Sequence, residues 1–382
     1  MQGFLNDLER LTFYRGRVAL YAILQGLGIG NDDEVVTQAF TCVAVPEAIM
    51  ASGARPVYTD IEPNGFNMDA SDLERKITPK TRVIVVQHTY GIPADMERIK
   101  YVADKAGLPI IEDCCHTFVS TYKGKRVGSF GVGSFYSFEW GKPVVAGIGG
   151  SAIVNDSNLN EKIQSKYKDY RFPSTLKLMR IQLQYFGFKI LYRPAFYWPV
   201  RDMFHMLGSI GAAESNYNPV QENQVAEDFC LKMPKPLQRR MTRKLCDLDV
   251  LTSHSRWVSN QYQTRIESNQ VKHPEIPSDC DTVFARYPLL VNDKDTLLEQ
   301  AQKAKVELAD WYSTPIHPLT DKEVGLVRYD TGSCPNAEKR CRQVVTLPTH
   351  MTVKASDIER IVAFFNSKSL IAENHNDNEQ GI

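Results

Sequence analysis

The chain has 382 residues, more than one core of ~250–300 residues usually accommodates, so two folded units are expected. Apolar residues make up 43% of it, enough for a large interior, and Lys plus Arg equal Asp plus Glu at 45 each. That balance leaves no surplus charge to hold a polyanion, and nucleic acid is not the expected partner.

The opening segment, "MQGFLNDLERLTFYRGR", mixes acids and bases without an apolar stretch and does not read as a signal peptide. Next, "GRVALYAILQGLGIG" sets Val18, Leu20, Ile23, Leu24 and Leu27 at largely helical spacing and stops at glycine, which predicts a helix with a glycine cap. Then come "EVVTQAF", "RPVYTDI", "RVIVVQH", "LPIIEDCC" and "GSFYSF", short runs rich in β-formers, most of them separated by helical patterns such as "DMERIKYVADKAG". The alternation predicts an α/β fold with a largely parallel sheet covered on both faces. Ligands in such sheets collect at the carboxyl ends of the strands.

From 160 to 225 the character changes, and "TLKLMRIQLQYFGFKILYRPAFYWPVRDMF" is aromatic, basic and amphipathic. Pro194 and Pro199 are expected to break any long helix there. Such a stretch can rest on a membrane surface, but packing on a partner subunit or over a pocket is the commoner use and the expectation here. A long helical pattern at 237–266 leads into a smaller α+β unit, and "IAENHNDNEQGI" has almost nothing to bury. The expected organisation is a large unit over 1–235 that carries the 160–225 insertion, a small one over 236–370, and a disordered tail at 371–382.

No run reaches the ~18 apolar residues of a membrane span. The eight cysteines, at 42, 114, 115, 230, 246, 280, 334 and 341, show no C-x-x-C pair or clustered ligand spacing, so no metal site and a reducing, cytoplasmic setting are expected.

Three strand ends carry groups that a core does not ask for. Asp113 and His116 follow a run that looks buried, and a carboxylate there needs a cation or hydrogen bonds. Ser137 sits among large aromatics, and Lys142 stands in "FYSFEWGKPVVAGIGG", where it is the one cation. An amine in apolar surroundings has a depressed pKa and becomes a nucleophile toward carbonyls. A buried aspartate suits a protonated pyridine nitrogen, and together the two point to pyridoxal phosphate. Each has a plainer reading: the acid as a helix cap or ion pair, the lysine as a solvated side chain. "GLGIG" follows a helix rather than a strand, and neither it nor "GIGG" spells a dinucleotide fingerprint. Gly16 and Arg17 begin a helix, where backbone amides hold phosphate well.

These residues, with "LGIGNDDEVVTQAFTCVAVPEAIMASGARPVYTDIEP", "ITPKTRVIVVQHTYGIPADM", "IIEDCCHTFVSTYKGKRVGSFGVGSFYSFEWGKPVVAGIGGSAIVND" and "LPTHMTVKASDIERIV", resemble the DegT/DnrJ/StrS-type sugar aminotransferases, pyridoxal phosphate enzymes of fold type I. The resemblance is close over most of 14–157 and loose over 235–366. It implies Lys142 as the Schiff-base lysine and Asp113 as the partner of the pyridine nitrogen. It puts His116 beside the cofactor ring, Ser137 on the phosphate, and Gly16 and Arg17 on the phosphate turn. Cys42 takes a position where the family usually stacks an aromatic, so stacking is expected from elsewhere, with His116 the candidate. The family's "NYRM" loop, which reaches into the neighbouring subunit's site, is replaced by "DFCLKMPKP".

The implied reaction moves an amino group from L-glutamate to a keto or aldehyde sugar, in a homodimer. The family's usual acceptor is a nucleotide-linked keto-deoxysugar. One similar branch aminates C8 of a 3-deoxy-octulosonate for lipopolysaccharide, and His317 in "YSTPIHP", with His88, is a candidate substrate contact. The alternatives are a catalytically silent regulatory protein, which predicts a missing lysine or acid, and a membrane-docked binding module built on 175–204.

Overall fold

The structure is a computed structural model that describes residues 2–209 and 227–367; the end of the aromatic insertion and the expected tail at 371–382 lie outside the described residues. Side-chain alternation decides the faces of its central sheet. Val83 and Val85 join one apolar cluster, whereas Ile84 and Val86 join another on the opposite side, as a period of two requires.

The sheet contains β1 (Leu11–Phe13), β2 (Glu34–Gln38), β3 (Arg55–Thr59), β4 (Thr81–Gln87), β5 (Ile110–Asp113), β6 (Gly133–Ser137) and β7 (Gly150–Val154). Their order is β1-β7-β6-β5-β4-β2-β3. Strands β2 to β6 pair in parallel, and β7 runs antiparallel to both β6 and β1. The helices of this part are α1 (Gln2–Arg10), α2 (Gly16–Leu27), α3 (Ala44–Ala51), α4 (Ala70–Lys76), α5 (Met96–Ala106) and α6 (Ser157–Tyr167). Helix α2 packs Val18, Leu20 and Ile23 on one face of the sheet, and α5 packs Met96, Ile99 and Val102 on the other. Each such side chain contributes about 1.5–3 kcal/mol on full burial. Gly28 and Gly107 cap α2 and α5 at φ 78° and 66°, the left-handed turn that glycine adopts without a steric penalty.

The insertion forms α7 (Thr175–Leu191) and α8 (Tyr197–Ser209). Pro194 separates them as expected, whereas Pro199 is the third residue of α8, where no intrahelical N–H is lost. The pattern at 237–266 is two helices, α9 (Lys235–Cys246) and α10 (Leu248–Arg265), parted at Asp247. Leu237, Met241 and Leu245 of α9 pack into a cluster with Tyr136 and Phe138 from the large sheet.

A second, antiparallel sheet contains β8 (Val271–Lys272), β9 (Arg286–Val291) and β10 (Val344–Pro348) in that order. Its core joins Tyr262 of α10, Leu289, Leu347 and Ile361, the last from the closing helix Ala355–Asn366. A parallel bridge between Thr41–Cys42 and Ile316–His317 ties this part of the chain to the carboxyl edge of the large sheet.

Candidate active site

Parallel pairing brings the strand ends into one row. Asp113 ends β5 beside Phe135 of β6, and Ser137 ends β6 opposite Gly150, which in turn pairs with Phe13 at the end of β1. The chain then enters α2 at Gly16. Added to Gly150, a Cβ would lie 2.6 Å from the Gly16 nitrogen; added to Gly16, one would lie 3.1 Å from the Ser137 Cβ. Glycine at both positions is therefore what lets the start of α2 approach Ser137 closely.

Lys142 stands on the loop that follows. The loop closes where Glu139 bridges to Gly147, and Gly141 turns it at φ 76°. Lys142 is half-buried, and its Nζ lies 5.0 Å from the centre of the Trp311 ring. Its charge reaches Asp113, Cys42, Cys115 and His116.

Asp113 is buried and accepts the Cys115 N–H at 2.9 Å. Burial raises its pKa above the ordinary value, and the Cys115 amide and Lys142 oppose that rise without cancelling it. His116 is also buried. Its Nδ1 accepts the Tyr90 N–H at 3.1 Å, and its Nε2 lies 3.3 Å from the Tyr312 hydroxyl. A ring nitrogen that accepts an amide hydrogen carries no proton, so the neutral tautomer has its proton on Nε2. Burial and the nearby Lys142 charge hold the His116 pKa well below the usual histidine value. Tyr90 stacks on this ring at 10°, and Trp311 meets it edge-on at 4.7 Å.

Cys42 and His317 are register partners on the bridge, and both are half-buried. Burial pushes the Cys42 thiol pKa up, against the charges of Lys142 and Arg17. His317 Nδ1 accepts from the Ser313 hydroxyl at 2.9 Å. Arg17 is committed to a buried ion pair with Glu47 of α3.

His88 stands apart from this group. It is fully buried, its Nδ1 accepts the Ala94 N–H at 3.1 Å, and its Nε2 meets Glu112 at 3.2 Å. Both ring nitrogens are thus engaged inside the protein, holding Glu112 rather than facing a substrate.

Several neighbours escape the sequence reading. Trp311 and Tyr312 come from a segment about 170 positions beyond Lys142, and periodicity says nothing about such a contact. Arg15 is buried beside α2, bonded to Glu139 at 3.2 Å and 3.7 Å from Asp228. The available signal was the pair of charges flanking Gly16 and the acid two residues after Ser137, both in stretches that otherwise read as apolar.

A mixed, mostly parallel sheet with a smaller unit bridged to its carboxyl edge, and a lysine near a buried aspartate there, define a fold type I, pyridoxal phosphate-dependent aminotransferase. The profile of the DegT/DnrJ/EryC1/StrS aminotransferase family matches residues 2–191 and 229–366, and the chain belongs to that family. It is 29% identical to the pleiotropic regulatory protein of Geobacillus stearothermophilus, over 92% of this chain and 83% of that protein. It is 26% identical to the UDP-2-acetamido-2-deoxy-3-oxo-D-glucuronate aminotransferase of Pseudomonas aeruginosa, over 95% and 87%. A GDP-perosamine synthase of Escherichia coli O157:H7 is 42% identical over a shorter part, 40% of this chain and 42% of that one. Among solved structures, S. venezuelae DesV superposes with a TM-score of 0.73 at 24% identity, covering 95% of this chain and 86% of that one. The PLP form of Spr1654 from Streptococcus pneumoniae gives 0.72 at 21%, covering 93% and 85%. These two likenesses concern the fold.

Proposed function

We propose that this enzyme moves an amino group from L-glutamate to a carbonyl carbon of a nucleotide-linked keto sugar, in ping-pong order, with Lys142 as its reacting amine. The observation that carries the reading is the convergence of Lys142, Asp113, His116, Ser137 and the start of α2 on one edge of the sheet.

Two features suit pyridoxal phosphate. The buried Asp113 carboxyl is left with a raised pKa, so a ring N–H⁺ against it would supply the charge that Cys115 and Lys142 do not. Gly16 keeps a space beside Ser137 that a side chain would fill, at a helix start whose amides favour an anion. Lys142 Nζ would hold the aldehyde carbon, Asp113 the ring nitrogen, and Ser137 with the amides of Gly16 and Arg17 the phosphate. When bound, the cofactor supplies an electron sink for the pair released at the carbon beside the transferred nitrogen.

The chain's own residues then have separable tasks. Lys142 Nζ takes the proton from the α-carbon of glutamate and, in the second half-reaction, works on the sugar carbon in the reverse sense. Neutral His116, locked between the Tyr90 amide and the Tyr312 hydroxyl, offers a flat ring beside the cofactor where Cys42 has none to give. Trp311 covers the amine and limits its contact with water.

The names of the P. aeruginosa and E. coli relatives favour a nucleotide-linked acceptor; the reading further takes the reaction as a cytoplasmic step of surface-polysaccharide synthesis carried out by a homodimer. A silent regulatory role, as the name of the G. stearothermophilus relative invites, does not call for keeping Lys142 and Asp113 together. The decisive measurement is an absorbance spectrum before and after glutamate, followed by a panel of keto sugars. A yellow species that bleaches with glutamate and returns with a nucleotide-linked keto sugar is expected. No bleaching removes the transaminase reading, and recovery only with 8-oxo-3-deoxy-octulosonate removes the nucleotide.

A further inference from the structure

Helix α7 has two apolar faces. Ile181 is 1% exposed on the inner one, where Tyr185 and Phe188 lie 6.1 and 4.8 Å from the Trp140 ring on the Lys142 loop. Through these contacts the insertion packs on the loop that carries Lys142. On the outer face Leu176, Met179, Leu183, Phe186 and Ile190 recur at alternating steps of three and four and are 50–74% exposed. Phe172 and Phe196, each 53% exposed, extend the surface beyond both ends of the helix.

The exposed charges that this segment itself sets beside the face are basic, since Lys177 is paired with Asp228 and Arg201 with Asp202. Arg180 stands on one flank of the stripe and Lys189 on the other; both are exposed, as is Arg193 just past the helix. Residues 171–209 hold six Lys or Arg (171, 177, 180, 189, 193 and 201) against one acid, Asp202, in a chain whose total charge is balanced. We propose that this face docks on an anionic lipid surface, with α7 lying in the interface and its stripe among the upper acyl chains.

Three points favour that occupant. An exposed apolar stripe edged by Lys and Arg can enter the interface while its cations meet anionic headgroups. Pairing the face with a second copy of itself would bring Arg180, Lys189 and Arg193 against their own kind, without the opposite charges that select a helical partner. Among the described residues no helix is long and apolar enough to cross a membrane, so the contact is with a surface. Docking in this way would hold the Lys142 loop about one helix diameter, ~10–12 Å, from the headgroups.

The test is flotation of the full-length protein with vesicles of phosphatidylcholine alone and of phosphatidylcholine with phosphatidylglycerol. Flotation is expected with the anionic vesicles and is expected to fall about tenfold when salt is raised. The double variant Leu183→Glu/Phe186→Glu should lose it to a similar extent, with an unchanged circular dichroism spectrum and melting temperature. Absence of flotation, equal flotation with neutral vesicles, or undiminished flotation of the variant overturns the proposal. So does a variant that merely halves the mass in light scattering while neither protein floats, because the face then joins two copies of the chain.

Discussion

At Asp113 burial and chemistry pull in opposite directions. Its folded-state pKa lies above the ordinary 3.8, so its contribution to stability is full below that value and is lost as pH rises through the folded pKa. Above that value Asp113 therefore weakens the cofactor-free protein. Asp113→Asn keeps the acceptor for Cys115 and is expected to raise the melting temperature of cofactor-free protein at pH 7. With Asp113 in the role proposed for it, the same change should lower turnover about a hundredfold; melting curves and initial rates measured on one preparation check both. Lys142→Ala is expected to abolish turnover, and peptide mass spectrometry after borohydride treatment should find the cofactor on Lys142 of the wild type alone. His116, held neutral by burial, should contribute no ionisation to the rate profile between about pH 6 and 9, since it titrates below its usual range.

On the scale of elements, Glu112 shows how an acid within a strand builds a turn. Its oxygens accept the amides of Gly128, Phe130 and Gly131 at 2.6–2.8 Å and meet His88 on the other side. Burial pushes its pKa up, but His88 and the Gly128 and Gly131 amides outweigh burial and hold it below the usual value. Its stabilising effect is therefore present above pH 4.5, the ordinary value, and lost as pH falls through the folded pKa. Glu112→Ala leaves the amides and His88 unpaired and should cost ~3 kcal/mol in denaturant unfolding. The elements themselves were largely legible: all five β-rich runs became strands of the large sheet, because period-two burial writes itself into sequence. The three-residue β1 was too short to show a period, and the break at Asp247 lies inside an unbroken helical pattern. The roles of Arg15 and Glu139 went unread because an ion pair 124 positions apart leaves no local trace.

The whole molecule depends on joining distant parts. Tyr312 of the smaller part touches His116 of the larger, and the bridge from Cys42 to His317 fixes their register. We expect a dimer mass in multi-angle light scattering, in keeping with the proposed homodimer. A monomer mass at working concentration would require each site to be complete within one chain. The fold class was readable from alternating elements, and Lys142 could be singled out as a candidate from its apolar setting, but its contact with Trp311 could not. Trp311 is a residue that only the assembled molecule brings to the lysine. Trp140 lies two positions before Lys142 and Trp311 over its amine, so two of the chain's four indoles flank the point where a yellow chromophore would form. Resonance energy transfer to that chromophore should dim the protein's ultraviolet emission in proportion to loading, and the fold thus carries its own optical gauge of occupancy.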